Sequence, residues 1–579
     1  MPIFTFDTSY SLGKVRLVDT RKVNIQVNSD EDLRKARVGQ LVALSLPGAV
    51  EEWLIGIIEK VVKTPVLEDI PVQQDDDSAD AAELNLLRES VHNTVQLTLV
   101  GTVGLTNENK PKFSRSLVQV PEIDAGCFIL RDAQLQTFMN LLSKEGKTEH
   151  SLEIGRYTID ESAKAYLDGN KLFQRHAALL GSTGSGKSWT VAAILEQASK
   201  LPSSNLIVFD LHGEYRELSY ARHLRIPGPE ELGKSDPALL FLPYWLLNTE
   251  ELQAMFIDRS EFSAHNQVMA FQDTVVAKKK ETLEKHKKTE VLNAFTLDSP
   301  IPFDINSVIA ELQRLNEEMV PGANNKEKQG PFHGQFSRLL LRLNSKVSDK
   351  RYGFLFQAPT SEHGYDAMAY LVKRLMDYSE DKSQIKVIDF SDVPADILPV
   401  IVGLVARIIY QVQFWMDRDN RHPLALVCDE AHLYLPKKDG RNPVEQRAVE
   451  NFEKIAKEGR KYGVALLVIS QRPADVSATI LSQCNNVIAL RLTNGDDQHT
   501  VRRLMPESLE GLMDTLPILD IGEALVVGDA VLLPSRIKIH APQERPLSAT
   551  IEFWDEWSEA PGTPNFAKAV ENMRRQNRA

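Results

Sequence analysis

Residues 176–188 read His-Ala-Ala-Leu-Leu-Gly-Ser-Thr-Gly-Ser-Gly-Lys-Ser, and this stretch decides the fold. The apolar run 176–180 has the length and composition of a buried strand. Gly181-Ser182-Thr183-Gly184-Ser185-Gly186-Lys187-Ser188 is a complete phosphate-binding loop of the form G-x-x-x-x-G-K-[ST]. After it, Val191, Ile194, Leu195 and Ala198 recur at helical spacing. Strand, glycine-rich loop and helix in that order let backbone N–H groups turn inward around phosphate oxygens, with the helix dipole behind them. In such a loop Lys187 reaches the β- and γ-phosphates, Ser188 ligates Mg²⁺, and Trp189 ends the nucleotide-binding stretch. A plain Gly/Ser turn would not need the full octapeptide. A dinucleotide loop would need a third glycine where Lys187, Ser188 and Trp189 stand.

The chain has 579 residues, too many for one core, so three or four domains are expected. Its 42% hydrophobic and 25% charged residues are those of an ordinary globular protein. Three widely spaced cysteines without a C-x-x-C pair argue against a disulfide framework or a zinc site and fit a reducing, cytoplasmic setting. No signal-type apolar segment opens the chain. The most apolar stretch, 397–410, is short and carries Arg407, so it is expected as a core helix and not a membrane span. A net charge of −13 excludes a globally basic nucleic-acid binder but not a local basic stripe.

Outward from the loop, the patterns change several times. Residues 1–125 alternate in the manner of short strands, with Val23, Ile25 and Val27 on one face, and a small β-barrel is expected. An acidic segment, 73–80, is expected as a solvated loop. Residues 126–240 carry the first part of an α/β core. Residues 241–384 are long, charged and helical in pattern, an insertion with a loop near 321–326. Strand signals return over 385–540, the second part of the core, with a late hairpin from 523–527 and 536–540. Residues 541–579 form a polar tail.

The run 424–428 ends in Asp429-Glu430, at the carboxyl edge where ligands bind in such sheets. Asp429 is placed to hold Mg²⁺ through water and Glu430 to polarise the attacking water. If strand 464–470 lies beside it, Gln471 is level with Glu430 and can sense the γ-phosphate; a loop-capping amide is the alternative. Arg460 follows a helical pattern (Val444, Ala448, Phe452, Ile455) and lies near the entry end of that strand. It either acts in a neighbouring subunit's site as an arginine finger or complements its own helix dipole. Arg175 precedes the first strand, where surface arginines are common. His212 and Glu214 fit a polar rim better than a metal site. Lys437, Lys438 and Arg441 follow the acidic pair and fit either a DNA-contacting pore loop or a solvated one.

Taken together, five segments resemble the HerA family of hexameric DNA translocases, in the HerA–FtsK branch of RecA-like ATPases. They are Arg175-His176 with Gly181–Ser188, Phe209–Tyr215, Asp429–Pro436, Glu458–Gly463 and Ser470–Ser477. The resemblance implies a RecA-like core behind an N-terminal barrel, and a homo-oligomeric ring, usually a hexamer, with ATP and Mg²⁺ at subunit interfaces. It implies Arg460 as the trans arginine, Gln471 as the sensor, and Arg175 near the nucleotide. It also implies movement on double-stranded DNA, often with a nuclease or other effector docked on the barrel, in DNA-end processing or antiviral defence. Competing readings remain: a protein-translocating ATPase of the conjugation type, or an ATP-gated scaffold for an effector. Asp429-Glu-Ala-His432 superficially matches an RNA-helicase box, but Lys187 and Asp429 lie 242 positions apart, too far for those enzymes.

Overall fold

Alternation along Lys22–Val27 places Val23, Ile25 and Val27 on one face of a strand, and all three are buried. That strand is the closing stave of a barrel. In the computed structural model the N-terminal sheet has seven strands, Ser11–Asp19, Lys22–Val27, Leu41–Ser45, Trp53–Ile70, Leu86–Leu105, Pro111–Ser114 and Gly126–Ile129. Lys22–Val27 pairs antiparallel with Ser11–Asp19 on one side and with Leu86–Leu105 on the other, which closes six strands and leaves Pro111–Ser114 as a flap on Leu86–Leu105. Closure leaves no free edge among the six. Leu12, Val15, Ile25, Val42, Leu54, Leu97 and Ile129 fill the interior, each contributing about 1.5–3 kcal/mol of burial.

The described residues are 3–46, 52–70, 86–117, 119–234, 236–321, 327–380, 382–437, 443–506, 509–548, 553–559, 562 and 565–575. The acidic segment 73–80 and most of the loop expected at 321–326 lie outside them. The chain forms two units: one of Met1–Leu172, Leu179–Lys187 and Asn485–His540, the other of Phe173–Ala178, Ser188–Cys484 and Ala541–Ala579. Strand Ala177–Leu180 carries the chain from the second unit into the first.

Beyond its barrel, the first unit holds an antiparallel run in the order Asn486–Leu490, Glu523–Val527, Ser535–Ile539, Ser151–Tyr157, Asp160–Asp168. The late hairpin is present in it, with Leu525 opposite Arg536.

In the second unit the strands are parallel, in the order Arg222–Arg225, Ile385–Asp389, Leu206–Asp210, Leu424–Cys428, Val464–Ser470. The last three are buried at every position. That is why their sequences are continuous apolar runs and not alternating ones. Helix Leu398–Trp415 is long and apolar enough to cross a membrane by length and composition, yet 67% of it is buried in the fold. Its Arg407 donates to both carboxylate oxygens of Glu251 at 3.0 and 2.7 Å and to the Leu246 carbonyl. Glu251 also completes the capping box of helix Thr249–Phe256. The block ahead of Ile385 is mostly helical, with Thr249–Phe256, Ala264–Lys285, Ile305–Glu317, Ser337–Ser348 and Ala367–Met376 as its longer helices. Helices Phe553–Ser558 and Phe566–Arg575 lie in the tail.

Candidate nucleotide site

The phosphate loop lies in the first unit and is shaped by backbone. Gly184 and Gly186 adopt φ +71° and +105°, conformations that disfavour an L side chain. A Cβ on Gly186 would sit 3.4 Å from the Gly522 backbone, and the Gly522 N–H donates to the Ser185 carbonyl at 3.0 Å. The Ser182 N–H donates to the Arg491 carbonyl at 2.9 Å. The loop is thus held from outside by the 485–540 segment of its own unit. Ser185 is fully buried, and its hydroxyl has no hydrogen-bond partner among the described residues. Lys187 is 8% exposed, with Nζ 3.3 Å from the Ser182 carbonyl. A buried ammonium and an unsatisfied hydroxyl inside a turn of positive-φ glycines fit an anionic phosphate chain. Helix Lys187–Ala198 follows directly. Thr183 is exposed, and Ser188 and Trp189 are half-buried. The Arg545 guanidinium from the tail lies over the Trp189 ring, 5.2 Å from its centroid, within the second unit.

The acidic edge lies in the second unit and is shaped by side chains. Strands Leu206–Asp210 and Leu424–Cys428 run parallel with Phe209 level with Cys428, so Asp210 and Asp429 emerge side by side. Asp210 is fully buried. Its Oδ1 accepts the N–H groups of His212, Gly213 and Glu214, and its Oδ2 accepts that of Tyr215, at 2.8 to 3.3 Å. This carboxylate folds Leu211–Tyr215 back over the strand end. The buried Tyr215 side chain and Glu214 then face Asp429, and burial followed by the Asp429 charge raises the Tyr215 hydroxyl well above its ordinary value. Burial first, then the charges of Glu430, Glu214 and Asp210, hold the Asp429 carboxyl well above the carboxylate range. Like charges this close disfavour joint ionisation of the cluster.

Glu430 has left-handed backbone, φ 43° and ψ 45°, and its N–H donates to Asp429 Oδ1 at 2.9 Å. A glutamate held there is an uncommon conformation and turns its side chain away from the strand's regular alternation. Its Oε2 lies 3.3 Å from His432 Nδ1, which is 3.5 Å from Ser470 Oγ. The expected neighbour strand is present and parallel, but its register pairs Cys428 with Val468. Continued, that register puts Ser470 level with Glu430 and Gln471 one residue beyond. The sequence reading was therefore one residue out, because local pattern carries no information on register.

Arg460 belongs to the last turn of helix Pro443–Tyr462 and does not lie in a connection after it. It is exposed, and its side chain has no hydrogen bond or ion pair among the described residues. Gly459 is where the helix end meets its own strand, since a Cβ there would strike the Val464 carbonyl. Val464 is level with Leu424, at the opposite end of the strands from Asp429 and Glu430. At about 3.3 Å per residue the separation along the strand is roughly 20 Å. Arg175 is exposed, and its neighbour His176 is buried in a left-handed conformation. Lys437 is exposed, its N–H on the Asp475 carbonyl and its Nζ 3.7 Å from Asp475 Oδ1; Lys438 and Arg441 lie outside the described residues. Sequence reading missed the turn-forming role of Asp210, the Tyr215 hydroxyl and the imidazole of His176. The first had a signal, an aspartate at a strand end followed by a glycine-containing turn.

Residues 152–409 match the family described as helicase HerA, central domain. A probable helicase of Methanocaldococcus jannaschii is 27% identical over 398 residues, covering 67% of this chain and 66% of that protein. The DNA double-strand break repair helicase HerA of Saccharolobus solfataricus is 24% identical over 453 residues, 76% of this chain and 77% of that one. Among solved structures, VirB4 of Thermoanaerobacter pseudethanolicus is 18% identical with a TM-score of 0.45, over 68% of this chain and 98% of that one. With its phosphate loop, parallel strands and N-terminal barrel, the chain is similar to the HerA helicases, and residues 152–409 match their central domain.

Proposed function

We propose that the chain is an ATP- and Mg²⁺-dependent motor that assembles as a ring, in the first instance a hexamer, and moves on double-stranded DNA in the cytoplasm. One observation carries the multi-subunit part of this reading. Arg460 is exposed, unpaired among the described residues, and at the wrong end of the strands to serve Asp429 and Glu430 of its own chain. An arginine so placed is available to a second copy. The DNA part draws on relatives named as DNA double-strand break repair helicases.

The residues divide the work as follows. Lys187 and the loop N–H groups of Gly181–Ser188 bind the phosphates. Ser188 and Asp429 are the residues that would hold Mg²⁺, which when bound offsets phosphate charge. Glu430 orients the attacking water and takes up its proton, with His432 beside it. Arg460 from the adjoining copy stabilises charge that develops in transfer. Gln471, at the end of the strand next to Glu430's, senses the γ-phosphate, and Arg175 approaches the nucleotide. Lys437, Lys438 and Arg441 contact the phosphates of the duplex. A nuclease or other effector docks on the barrel and places the motor in DNA-end processing or antiviral defence.

The test is ATP turnover with and without linear duplex DNA, across a salt series. Turnover should rise several-fold with duplex and lose that stimulation as salt increases, as phosphate-backbone binding requires. Turnover indifferent to DNA at every salt concentration would replace the motor with an ATP-gated scaffold.

A further inference from the structure

His176 is buried, 4% exposed, directly before the strand that enters the phosphate loop. Its backbone is left-handed at φ 51°, uncommon for any residue but glycine and enriched for His, Asn and Asp. Two bonds of the imidazole lie within the second unit. The Leu466 N–H donates to Nδ1 at 2.9 Å, and Nε2 lies 3.0 Å from the Ala456 carbonyl. An acceptor role at Nδ1 leaves the proton on Nε2, so the ring is the neutral Nε2–H tautomer. Burial favours that same neutral form.

Both partners sit in the machinery described above. Leu466 lies in strand Val464–Ser470, which Gln471 follows, and is level with Leu426 of the strand that Asp429-Glu430 follow. Ala456 lies in helix Pro443–Tyr462, and its carbonyl is the helical acceptor for the N–H four residues on, that of Arg460. One imidazole therefore ties the sensor strand to the last turn of the arginine helix, next to Arg175 in the chain.

We propose that His176 is a positioning residue for Arg460, locking the arginine that a neighbouring copy uses to the strand that reports this copy's own nucleotide. The proposal rests on the trans placement of Arg460. It makes each copy's nucleotide state set the arginine it offers next door. Two variants separate the bonds. His176→Asn tolerates left-handed backbone and can present an amide oxygen to the Leu466 N–H, but is too short for Ala456. His176→Gln reaches Ala456 with an amide N–H and gives up the acceptor for Leu466.

The experiment uses the full chain, with ATP turnover, nucleotide titration and thermal melts for both variants. Each is then mixed with Glu430→Gln chains, which lack turnover but bring an intact Arg460; Arg460→Ala with Glu430→Gln is the reference mixture. His176→Asn is expected to lower kcat about tenfold to a hundredfold, the scale of a displaced catalytic group, with nucleotide affinity held within about twofold. Mixing should restore it as it restores Arg460→Ala. His176→Gln, which breaks the tie at its strand end, should lose turnover on the same scale at a similar melting temperature. Restoration of Arg460→Ala but not of His176→Asn would overturn the positioning role alone. So would unchanged turnover in either variant. No restoration of Arg460→Ala would overturn the trans arginine, and this proposal with it.

Discussion

The phosphate loop and the acidic edge are built by opposite means. The loop is local: eight consecutive residues, two glycines at positive φ, and an anion-binding surface made of backbone. The acidic edge is assembled from segments far apart in the chain. Asp210, Glu214, Tyr215, Asp429, Glu430, His432 and Ser470 meet because three parallel strands end together. A backbone site tolerates side-chain change where glycine is not required. A side-chain site depends on register, on turns held by single carboxylates, and on groups that repel one another.

The difference can be broken at its extremes. Arg460→Ala should cost turnover about 10³- to 10⁵-fold, the range for an arginine supplied to phosphoryl transfer. Nucleotide affinity, followed by fluorescent-nucleotide titration, should barely move. A large affinity loss instead would place Arg460 in ground-state binding. Glu430→Gln should lower turnover about 10²- to 10⁴-fold, as removal of a general base does, while the chain retains ATP long enough to be isolated with it. Rapid release of unhydrolysed ATP would point to a structural Glu430.

On the backbone side, Gly186→Ala should act on binding more than on chemistry. Forcing an L residue to φ +105° costs about 1–3 kcal/mol, equivalent to an affinity drop of about tenfold to a hundredfold. The contrast with Glu430→Gln fails if the glycine variant binds normally and only its kcat falls. The smallest effect sharpens the electrostatic side. The Asp429 carboxyl titrates above its ordinary range in the folded chain, so the folded state holds that proton more tightly than the unfolded state does. The stability this gives is present at low pH and drains away as pH rises from the ordinary carboxylate value through the raised one. Asp429→Asn cannot ionise, so the nucleotide-free variant should outlast wild type at neutral pH by about 1 kcal/mol, with no advantage in acid. Melts of both proteins at acid and neutral pH check this, and a parallel pair of melting curves would refute the repulsion argument.

Much of this was legible beforehand, and the exceptions share a cause. The strand–loop–helix signal, the burial of the 424–428 run and the hairpin near 523–540 follow from period and local chemistry, and the structure has all three. The barrel was legible as short alternating strands, but its closure was not. Lys22–Val27 meets Leu86–Leu105 some seventy residues away, and nothing near either strand announces the other. Gln471 was placed one residue early for the same reason. His176 looked like the first residue of an apolar strand, and the fold turns it into a two-handed brace.

By itself the amino-acid order determined the phosphate loop, the acidic pair at a strand end and a cation at the end of a helix, because glycine conformation, hydrophobic period and charge placement act over a few residues. Tertiary structure alone decided that Ser470 is level with Glu430 and that one aspartate pins the turn carrying Glu214 and Tyr215. Register and side-chain bonds between distant segments are settled by packing, where one residue of slip reverses every side chain, and packing is a property of the whole chain.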